Sequence, residues 1–200
     1  MARKGYHHGN LREALIEATI DLIREKGPTG FTMAEAAKQA GVSAAAPYRH
    51  FAGRDELIAE VALQGFEIFA DLMEYARTKG EPSALSAFEA VGRAYLAFAR
   101  KYPGHYIAMF ESGVQVTSNP ELNRVADRAF DTLTQAAEEL VAHLPPKSRP
   151  PASMVSNHIW AMSHGVVELF ARGDARSPFR PEDLLESGVG VYLRGIGAIK

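Results

Sequence analysis

The sequence contains no cysteine, so disulfide bonds, thiolate metal sites and thiol catalysis are excluded. It also lacks a long apolar stretch, since no hydrophobic run approaches the roughly 20 residues that a membrane-spanning helix requires. The N-terminal residues include basic side chains but neither the apolar segment nor the cleavage site of a secretory signal peptide. We therefore expect a cytoplasmic protein that has no membrane partner.

The chain also has little net charge, and the distribution of its charges is more informative than their sum. Its 200 residues carry a formal net charge of -2, which gives no overall attraction to nucleic acid. The first dozen residues, however, contain only basic charges, at Arg3, Lys4 and Arg12, with His7 and His8 between them. This pattern is typical of a flexible arm that lies against phosphates.

Apolar residues recur with the spacing of amphipathic helices, and no alternating run is bounded by hairpin turns, which predicts an all-α chain. The first helix begins after Asn10, which forms a capping-box pattern with Glu13, and residues 27–30 end it. The apolar stripe of this helix consists of Leu11, Ala14, Leu15, Ala18 and Leu22.

Two short helices are predicted next. Thr32 and Glu35 repeat the capping-box pattern at the start of a helix over residues 33–39, which Gly41 ends in a left-handed turn. Ser43 then caps a third helix over residues 44–51. Two short helices joined in this way form a helix-turn-helix, in which the second helix can enter a major groove about 12 Å wide.

The rest of the chain is large enough for a separate helical body. A long helix is predicted over residues 55–79, and turn signals follow at residues 102–104, 118–120, 145–151 and 177–181. These segments predict about five or six helices. The expected domains are therefore a head over residues 1–54 and a body over residues 55–200.

Residues 31–57 closely resemble the DNA-binding head of TetR-family regulators, in one register from the second helix through Gly41 and Ser43 to Arg54. Residues 6–12 resemble a lead-in common in one branch of that family, and residues 160–165 resemble the WHG-type C-terminal ligand-binding domain of the same branch. The resemblance implies a three-helix helix-turn-helix head that binds operator DNA, a larger helical body for ligand binding and dimerisation, and repression of transcription.

The resemblance also implies the residues that contact DNA. By this resemblance, Thr32 and Arg54 would touch the DNA backbone at the starts of the second and fourth helices. Ala44, Ala45, Tyr48 and Arg49 would face base edges or nearby phosphates. The predicted set is Thr32, Ser43, Ala44, Ala45, Tyr48, Arg49, His50 and Arg54. A basic and aromatic cluster can also be a solvated face, and His50 beside Phe51 can simply brace the helix end.

The start of the third helix limits how DNA sequence can be recognised. Alanine methyl groups form no hydrogen bonds, so direct discrimination by residues 44–46 can come only from contact with thymine methyl groups. Arg49 is the nearest polar residue that can recognise a base. Pro47 replaces the branched apolar residue that is usual in the wider family, and we interpret it as a core contact.

The body contains many aromatic and methionine residues at helical spacing, most of which are expected to form core. Tyr95, Asn157, Trp160 and His164 also have polar groups that must find partners if they are buried, as in ligand pockets. The predicted effector site comprises Tyr95, Phe98, Tyr106, Phe110, Asn157, Trp160 and His164. Few fixed charges are expected to point inward, so the effector should be a small apolar or aromatic organic molecule.

Two other classes of function fit the sequence less well. The seven histidines include no pair at the i, i+4 spacing of a helical metal site, and there is neither a phosphate-binding loop nor a nucleophile elbow. We therefore expect no enzyme activity, cofactor or metal. An architectural DNA-binding protein without a ligand would need little more than the head, so the large body favours a sensor.

Dimerisation is predicted through the last two helices, over about residues 151–171 and 181–199. Gly188, Gly190, Gly195 and Gly197 would each cost about 1 kcal/mol in an exposed helix, and close approach across a two-fold interface would compensate. A homodimer would present two heads to half-sites separated by one DNA turn, roughly 34 to 36 Å, or a multiple of it.

Overall fold

The structure, a computed structural model, describes residues 11–80, 82–171 and 177–200. Within these residues the chain forms eight α-helices, two short 3₁₀ helices and no strand, which confirms the predicted all-α class. The α-helices are α1 (Leu11–Lys26), α2 (Met33–Gln39), α3 (Arg54–Lys79), α4 (Ala84–Lys101), α5 (Pro103–Phe110), α6 (Pro120–Val141), α7 (Ala152–Ala171) and α8 (Pro181–Gly195). The predicted basic arm before residue 11 and the predicted cap Asn10 lie outside the described residues.

The helices belong to two compact units. The first unit contains the described residues up to Gly65 together with residues 102–122. The second unit contains residues 66–101 and the described residues from Asn123 onward. Helix α3 contributes its first residues to the first unit and the remainder to the second. The functional boundary between residues 54 and 55 stays a prediction.

The core of the first unit forms where α1 packs against α2 and α5. Three residues of the predicted stripe on α1, Leu15, Ala18 and Leu22, are buried, as are Phe31, Phe51 and Leu57. Helix α5 approaches α1 so closely that a Cβ on Gly104 would lie 2.7 Å from the carbonyl oxygen of Ile20. A glycine is therefore required at this contact.

A complete capping box starts α2, as the sequence predicts. The Glu35 N–H donates to the Thr32 hydroxyl over 3.2 Å, and the Thr32 N–H donates to the Glu35 carboxylate over 2.8 Å. A hydrogen bond from Lys26, followed in size by those from the Thr32 backbone and side chain, lowers the pKa of Glu35 to about 2. The carboxylate therefore stays charged and keeps the cap intact at neutral pH.

Gly41 follows the end of α2 in the left-handed conformation, which confirms the predicted turn. Gly41 has φ +75°. Its N–H donates to the Lys38 carbonyl over 3.1 Å, and the Val42 N–H donates to the Ala37 carbonyl over 2.9 Å. These two bonds form a Schellman motif, which satisfies carbonyls at the helix end and fixes the direction in which the chain leaves it.

The third predicted helix, over residues 44–51, is wrong in type and length. The structure has a turn followed by a 3₁₀ helix over Pro47–Arg49, whose N-cap is Ala46 rather than Ser43. The Ala46 N–H donates to the Ser43 carbonyl and the His50 N–H to the Pro47 carbonyl, both at three-residue spacing. Because Pro47 has no N–H, the α-helical bond to Ser43 cannot form, and a segment this short has few other bonds to hold an α-helix.

In the second unit, the helix ends fall close to the predicted turn residues. Helix α3 begins one residue before the predicted start and ends where predicted, and the later breaks separate α4 to α8. Helix α4 packs against α7 and α8, and α7 packs against α8. Arg77 contacts Glu139 over 3.0 Å and Arg128 contacts Asp71 over 2.7 Å, so two exposed ion pairs join α3 to α6.

The last helix is shorter than predicted. Helix α8 ends at Gly195 rather than at residue 199, because Gly197 adopts φ +74°. The Ala198 N–H donates to the Leu193 carbonyl over 2.9 Å and the Gly197 N–H to the Arg194 carbonyl over 3.0 Å, which forms a second Schellman motif. The predicted placement of Gly197 within a helix is therefore wrong, since this residue lies beyond the end of α8.

None of the helices in the described ranges combines the length and the apolarity needed to cross a membrane.

The left-handed turn at Gly41 predicts the effect of a single methyl group. Gly41→Ala should lower the free energy of unfolding by about 1 to 2 kcal/mol, because an L side chain is strained at this φ. Gly92→Ala is the control, since it lies within α4 and its Cβ would meet Leu185 at an ordinary 3.8 Å. The control should keep or raise the stability measured by urea denaturation. Equal stability of Gly41→Ala and wild type would contradict the role assigned to this turn.

Candidate functional site

The segment that replaces the third helix exposes its polar side chains. Pro47 is buried, as predicted for a core contact, while Tyr48 is 60% exposed and Arg49 and His50 are also exposed. The 3₁₀ helix thus fixes one side of this segment in the core of the first unit and leaves the other side open. We call residues 43–50 the recognition segment.

The N-terminal part of the recognition segment offers a nearly apolar surface. Ser43, Ala44 and Ala45 are all exposed. The two alanines present only methyl groups, which can contact a thymine methyl but cannot form a hydrogen bond with a base edge. The structure therefore brings together six of the predicted DNA-contact residues on one exposed segment, with hydrogen-bonding side chains mainly at its C-terminal end.

Thr32 and Arg54 lie at the starts of α2 and α3, as the sequence predicts, but both already have partners in the protein. The Thr32 hydroxyl donates to the Glu35 carboxylate over 3.0 Å while it accepts the Glu35 N–H. The Arg54 guanidinium donates to the Thr29 carbonyl over 3.4 Å. Any contact of these two residues with phosphate would have to share or replace these bonds.

Arg12 and Lys26 of the first unit also have partners in the protein. Arg12, expected in the basic arm, is part of α1, where it contacts Glu60 over 2.6 Å and lies 5.6 Å from the centre of the Phe51 ring. Lys26 is paired with Glu35 over 2.8 Å. Arg49, in contrast, forms no ion pair within 4.0 Å with any described residue. Arg49 can therefore bind an external acceptor without giving up an ion pair to a described residue.

The second unit contains an aromatic cluster at the position of the predicted effector site. Tyr95 and Phe98 are buried, and the rings of both lie about 5 Å from Phe69, at 5.2 and 5.0 Å. The Tyr95 hydroxyl lies 2.8 Å from Nδ1 of His164. The structure thus joins two predicted residues, on α4 and α7, through a hydrogen bond in largely apolar surroundings.

Trp160 extends the same cluster along α7. Its ring centre lies 5.4 Å from that of His164 and 5.1 Å from that of Phe130. Phe130 was missed by the sequence reasoning, although its spacing from the buried Ala126 and Leu133 on α6 is helical and indicated this face. We call Phe69, Tyr95, Phe98, Phe130, Trp160 and His164 the aromatic cluster.

Three predicted effector residues do not belong to this cluster. Tyr106 and Phe110 lie on α5 in the first unit, with their ring centres 5.0 Å apart. Asn157 is exposed, and its amide donates to the Ser153 carbonyl over 2.7 Å. The condition of burial that favoured Asn157 as an effector residue is therefore not met, and its own helix supplies the partner of its amide.

Family models match both parts of the chain. Residues 15–61 match the model described as bacterial regulatory proteins, tetR family. Residues 88–192 match the model described as tetracyclin repressor-like, C-terminal domain. The second match alone spans more than half of the chain, and the two together include the recognition segment and most of the aromatic cluster.

Known proteins resemble the chain over nearly its whole length. The HTH-type transcriptional regulator BetI of Brucella anthropi is 29% identical over 188 residues, which cover 92% of this chain and 94% of that protein. The uncharacterized HTH-type transcriptional regulator YobS of Bacillus subtilis is 24% identical over 193 residues, which cover 94% of this chain and 93% of that protein.

Solved structures share the same fold. A protein of unknown function from Rhodococcus sp. RHA1 superposes with a TM-score of 0.80 at 25% identity, covering 96% of this chain and 98% of that one. AibR, solved in complex with isovaleryl coenzyme A and operator DNA, superposes with a TM-score of 0.71 at 16% identity, covering 90% of this chain and 97% of that one.

Proposed function

The chain belongs to the TetR family of transcriptional regulators, and from this premise we propose that it is a repressor that a small-molecule effector releases from operator DNA. As a member of this family it is a DNA-binding regulator and not an enzyme. The observation that supports the proposal best is the recognition segment, whose buried Pro47 holds Tyr48 and Arg49 at the surface. Binding to chromosomal DNA would place the protein in the cytoplasm.

The composition of the recognition segment indicates how an operator is read. Ala44 and Ala45 can contribute only apolar contacts, so hydrogen-bonded readout depends on few side chains. Arg49 can donate to guanine or to a phosphate, while Tyr48 and His50 can donate to phosphate oxygens. The proposed operator complex therefore depends on Arg49 more than on any other residue of the segment.

Arg49→Ala should weaken operator binding by about 1 to 3 kcal/mol, which is roughly 5- to 150-fold in Kd. The loss should be larger for the operator than for unrelated DNA if Arg49 contacts a base, and equal for both if it contacts phosphate. Arg124→Ala is the matched control, since Arg124 is an exposed cation in the second unit. Gel-shift titration at one fixed salt concentration measures both effects. Unchanged operator affinity of Arg49→Ala would place the reading surface elsewhere.

The last two helices offer an apolar surface suited to a second copy of the chain. Six large hydrophobic side chains are exposed among the described residues, and Met154, Leu169 and Val191 of these lie on α7 or α8. On α7, exposed Ala161 and Gly165 lie between Met154 and Leu169 at helical spacing, so a partner helix can approach closely. We assign the homodimer interface to this surface, which would present two heads to one operator.

Val191→Glu should convert the dimer to monomers, because it places a charge on each side of a two-fold interface. Tyr75→Glu is the control, since Tyr75 on α3 is exposed to the same degree, at 63% against 64% for Val191. Sedimentation velocity at micromolar concentration measures the oligomeric state. A wild-type monomer, or a dimer that tolerates Val191→Glu, would contradict this assignment.

The aromatic cluster supports the proposal of an effector site. Its surfaces can bury an apolar ligand, while the polar atoms of Tyr95 and His164 can orient one polar group of that ligand. A protein of the same fold, AibR, is described with both an acyl-coenzyme A and operator DNA. We propose a small apolar or aromatic organic effector, and membership of the WHG-type branch stays a prediction from residues 160–165.

Effector and operator should weaken each other's binding by the same factor, because the coupling between two sites is reciprocal. Trp160, the only tryptophan, reports the binding directly. Small molecules that co-purify with the protein, identified by mass spectrometry, supply the effector. Its titration should change the Trp160 emission saturably, and operator DNA should raise the midpoint.

His164→Ala should weaken this response, whereas His143→Ala, which removes an exposed histidine of α6's C-terminal loop, should not. An effector that releases DNA without changing Trp160 emission, and without any effect of His164→Ala, would place its site elsewhere. Operator binding that no metabolite disturbs would favour the alternative of an architectural DNA-binding protein.

A further inference from the structure

A hydrogen bond between two side chains joins the two helices to which the dimer interface is assigned. Nδ1 of His158 on α7 lies 3.0 Å from the hydroxyl of Tyr192 on α8. The two rings also meet edge to face, with their centres 5.1 Å apart. His158 is exposed and Tyr192 is half-buried, so this polar pair lies at the surface of the second unit.

His158 lies on the face of α7 that is assigned to the dimer interface. It follows the exposed Met154 by four residues and precedes the exposed Ala161 by three, and this spacing places the three side chains on one face of a helix. Gly165 and Leu169 continue the same face. A second copy of the chain that covers Met154 and Ala161 therefore also covers His158.

The adjoining face of α8 consists of small and apolar residues. Helix α8 runs antiparallel to α7, because Tyr192 lies opposite His158 while a Cβ on Gly188 would meet the sulfur of Met162 at 3.5 Å. Exposed Val191 directly precedes Tyr192, and residues before and after it continue its face at helical spacing. These residues are Leu184, Gly188, Val191 and Gly195.

The charged side chains of α8 lie on another side of the helix. Helix α8 contains four charged residues, and all of them line the groove that α8 forms with α4. Helix α7 contains one charged residue, Glu168, which lies ten residues from His158, about 15 Å along the helix axis. On the face assigned to the dimer, His158 is therefore the one side chain that gains a charge when the pH falls below neutral. The four charged residues of α8 are Glu182, Asp183, Glu186 and Arg194.

The helices around α7 supply no carboxylate to His158. Helix α8 supplies the hydroxyl of Tyr192. Helix α6 reaches a different side of α7, where the hydroxyls of Thr134 and Ser156 lie 3.2 Å apart, and α4 contacts the side that carries His164. No carboxylate of a described residue lies within 4.0 Å of His158. A charge on this imidazole would therefore have no compensating partner in its own chain.

Tyr192 cannot replace the missing carboxylate. Burial raises the pKa of its phenol above the ordinary value, so the hydroxyl is neutral at neutral and acidic pH. In a dimer, the protonated His158 of each copy would be removed from water on a face that offers no opposite charge. Burying an uncompensated charge is unfavourable, and two such charges on symmetry-related copies also repel each other.

We propose that His158 makes dimerisation sensitive to pH, because the dimer contains neutral His158 in its interface and protonation of this side chain separates the two copies. The proposal rests on the assignment of the dimer interface to α7 and α8. Since the dimer favours the neutral form, its stability is present above the pH at which His158 of the monomer titrates and is lost as the pH falls below it. Acidification would also weaken operator binding, because the paired heads separate.

The dissociation constant of the dimer tests the proposal on the full-length protein. Sedimentation velocity with fluorescence detection, from nanomolar to micromolar concentration, measures it at about pH 7.5 and at about pH 5.5, on either side of the ordinary titration of imidazole. Each copy takes up one proton, so the constant should rise by up to about 100-fold at the acidic pH. A constant that is unchanged or smaller there, or a dimer that stays intact throughout, would overturn the proposal.

His158→Gln assigns the effect to one side chain. Glutamine keeps an amide that can bond with Tyr192 but takes up no proton, so the dissociation constant of this variant should be the same at both pH values. His143→Gln is the matched control, since His143 is an exposed histidine in the loop after α6, and it should keep the pH dependence of the wild type.

The other histidines, among them the buried His105 of the first unit, remain in His158→Gln. A pH dependence that survives in this variant would therefore belong to one of them, and the proposal would be wrong. Helical circular dichroism at both pH values separates dissociation from unfolding. Loss of helix at the acidic pH in both the wild type and His158→Gln would also overturn the proposal.

Val191→Glu distinguishes a failure of this proposal from a failure of the dimer interface on which it rests. A dimer that tolerates Val191→Glu has its interface elsewhere, and both proposals are then wrong. If Val191→Glu gives monomers while the wild-type constant does not change with pH, the interface stands and only the role of His158 is overturned. A dimer that tightens in acid, and no longer does so in Glu168→Gln, would show that Glu168 of the partner subunit pairs with charged His158, which reverses the proposed effect.

Discussion

Backbone groups at the ends of a helix have no partner within that helix, and in this chain the residues that satisfy them determine where the exposed recognition segment lies. The capping box of Thr32 and Glu35 fixes the start of α2, and Gly41 fixes its end. The chain then leaves α2 in a direction that brings Pro47 into the core of the first unit. Arg49, two residues later, is consequently exposed. The position of the side chain proposed to read DNA therefore depends on bonds that Arg49 itself does not make.

The ends of helices and the positions of core residues could be predicted from the sequence because both depend on local chemistry. Cap residues such as Thr32 and turn residues such as Gly41 act through backbone groups within a few residues, so their effect does not depend on the rest of the fold. The same is true of the long helix α3, whose predicted bounds differ from the observed ones by one residue. Tyr95 and His164 were each predicted to need a partner if buried, and the structure joins them by a hydrogen bond.

The predictions that differ from the structure concern features that the neighbouring residues alone do not determine. Pro47 is compatible with the first turn of an α-helix, but in a segment with so few bonds the loss of one donor leaves a 3₁₀ helix. In the sequence, Gly197 cannot be distinguished from a glycine at a helix interface. Only its φ of +74° identifies it as a residue that ends a helix. Asn157 was expected in a pocket because of its amide, yet which face of α7 points inward is decided by packing against α4 and α8. Tertiary contacts, and not propensity, settled these positions.

Helix α8 has two different surfaces, and the proposed dimer depends on both. Leu185, Val189 and Leu193 face the core, and Val191 belongs to the proposed dimer interface. An effector bound in the aromatic cluster would contact α7, which packs against α8. Such an effector could change the dimer only if it prefers one position of α8 over another, since a ligand with equal affinity for both positions shifts neither. The buried contacts of Leu193, which is 1% exposed, restrain a movement of α8, so the effector must supply the free energy that this movement costs.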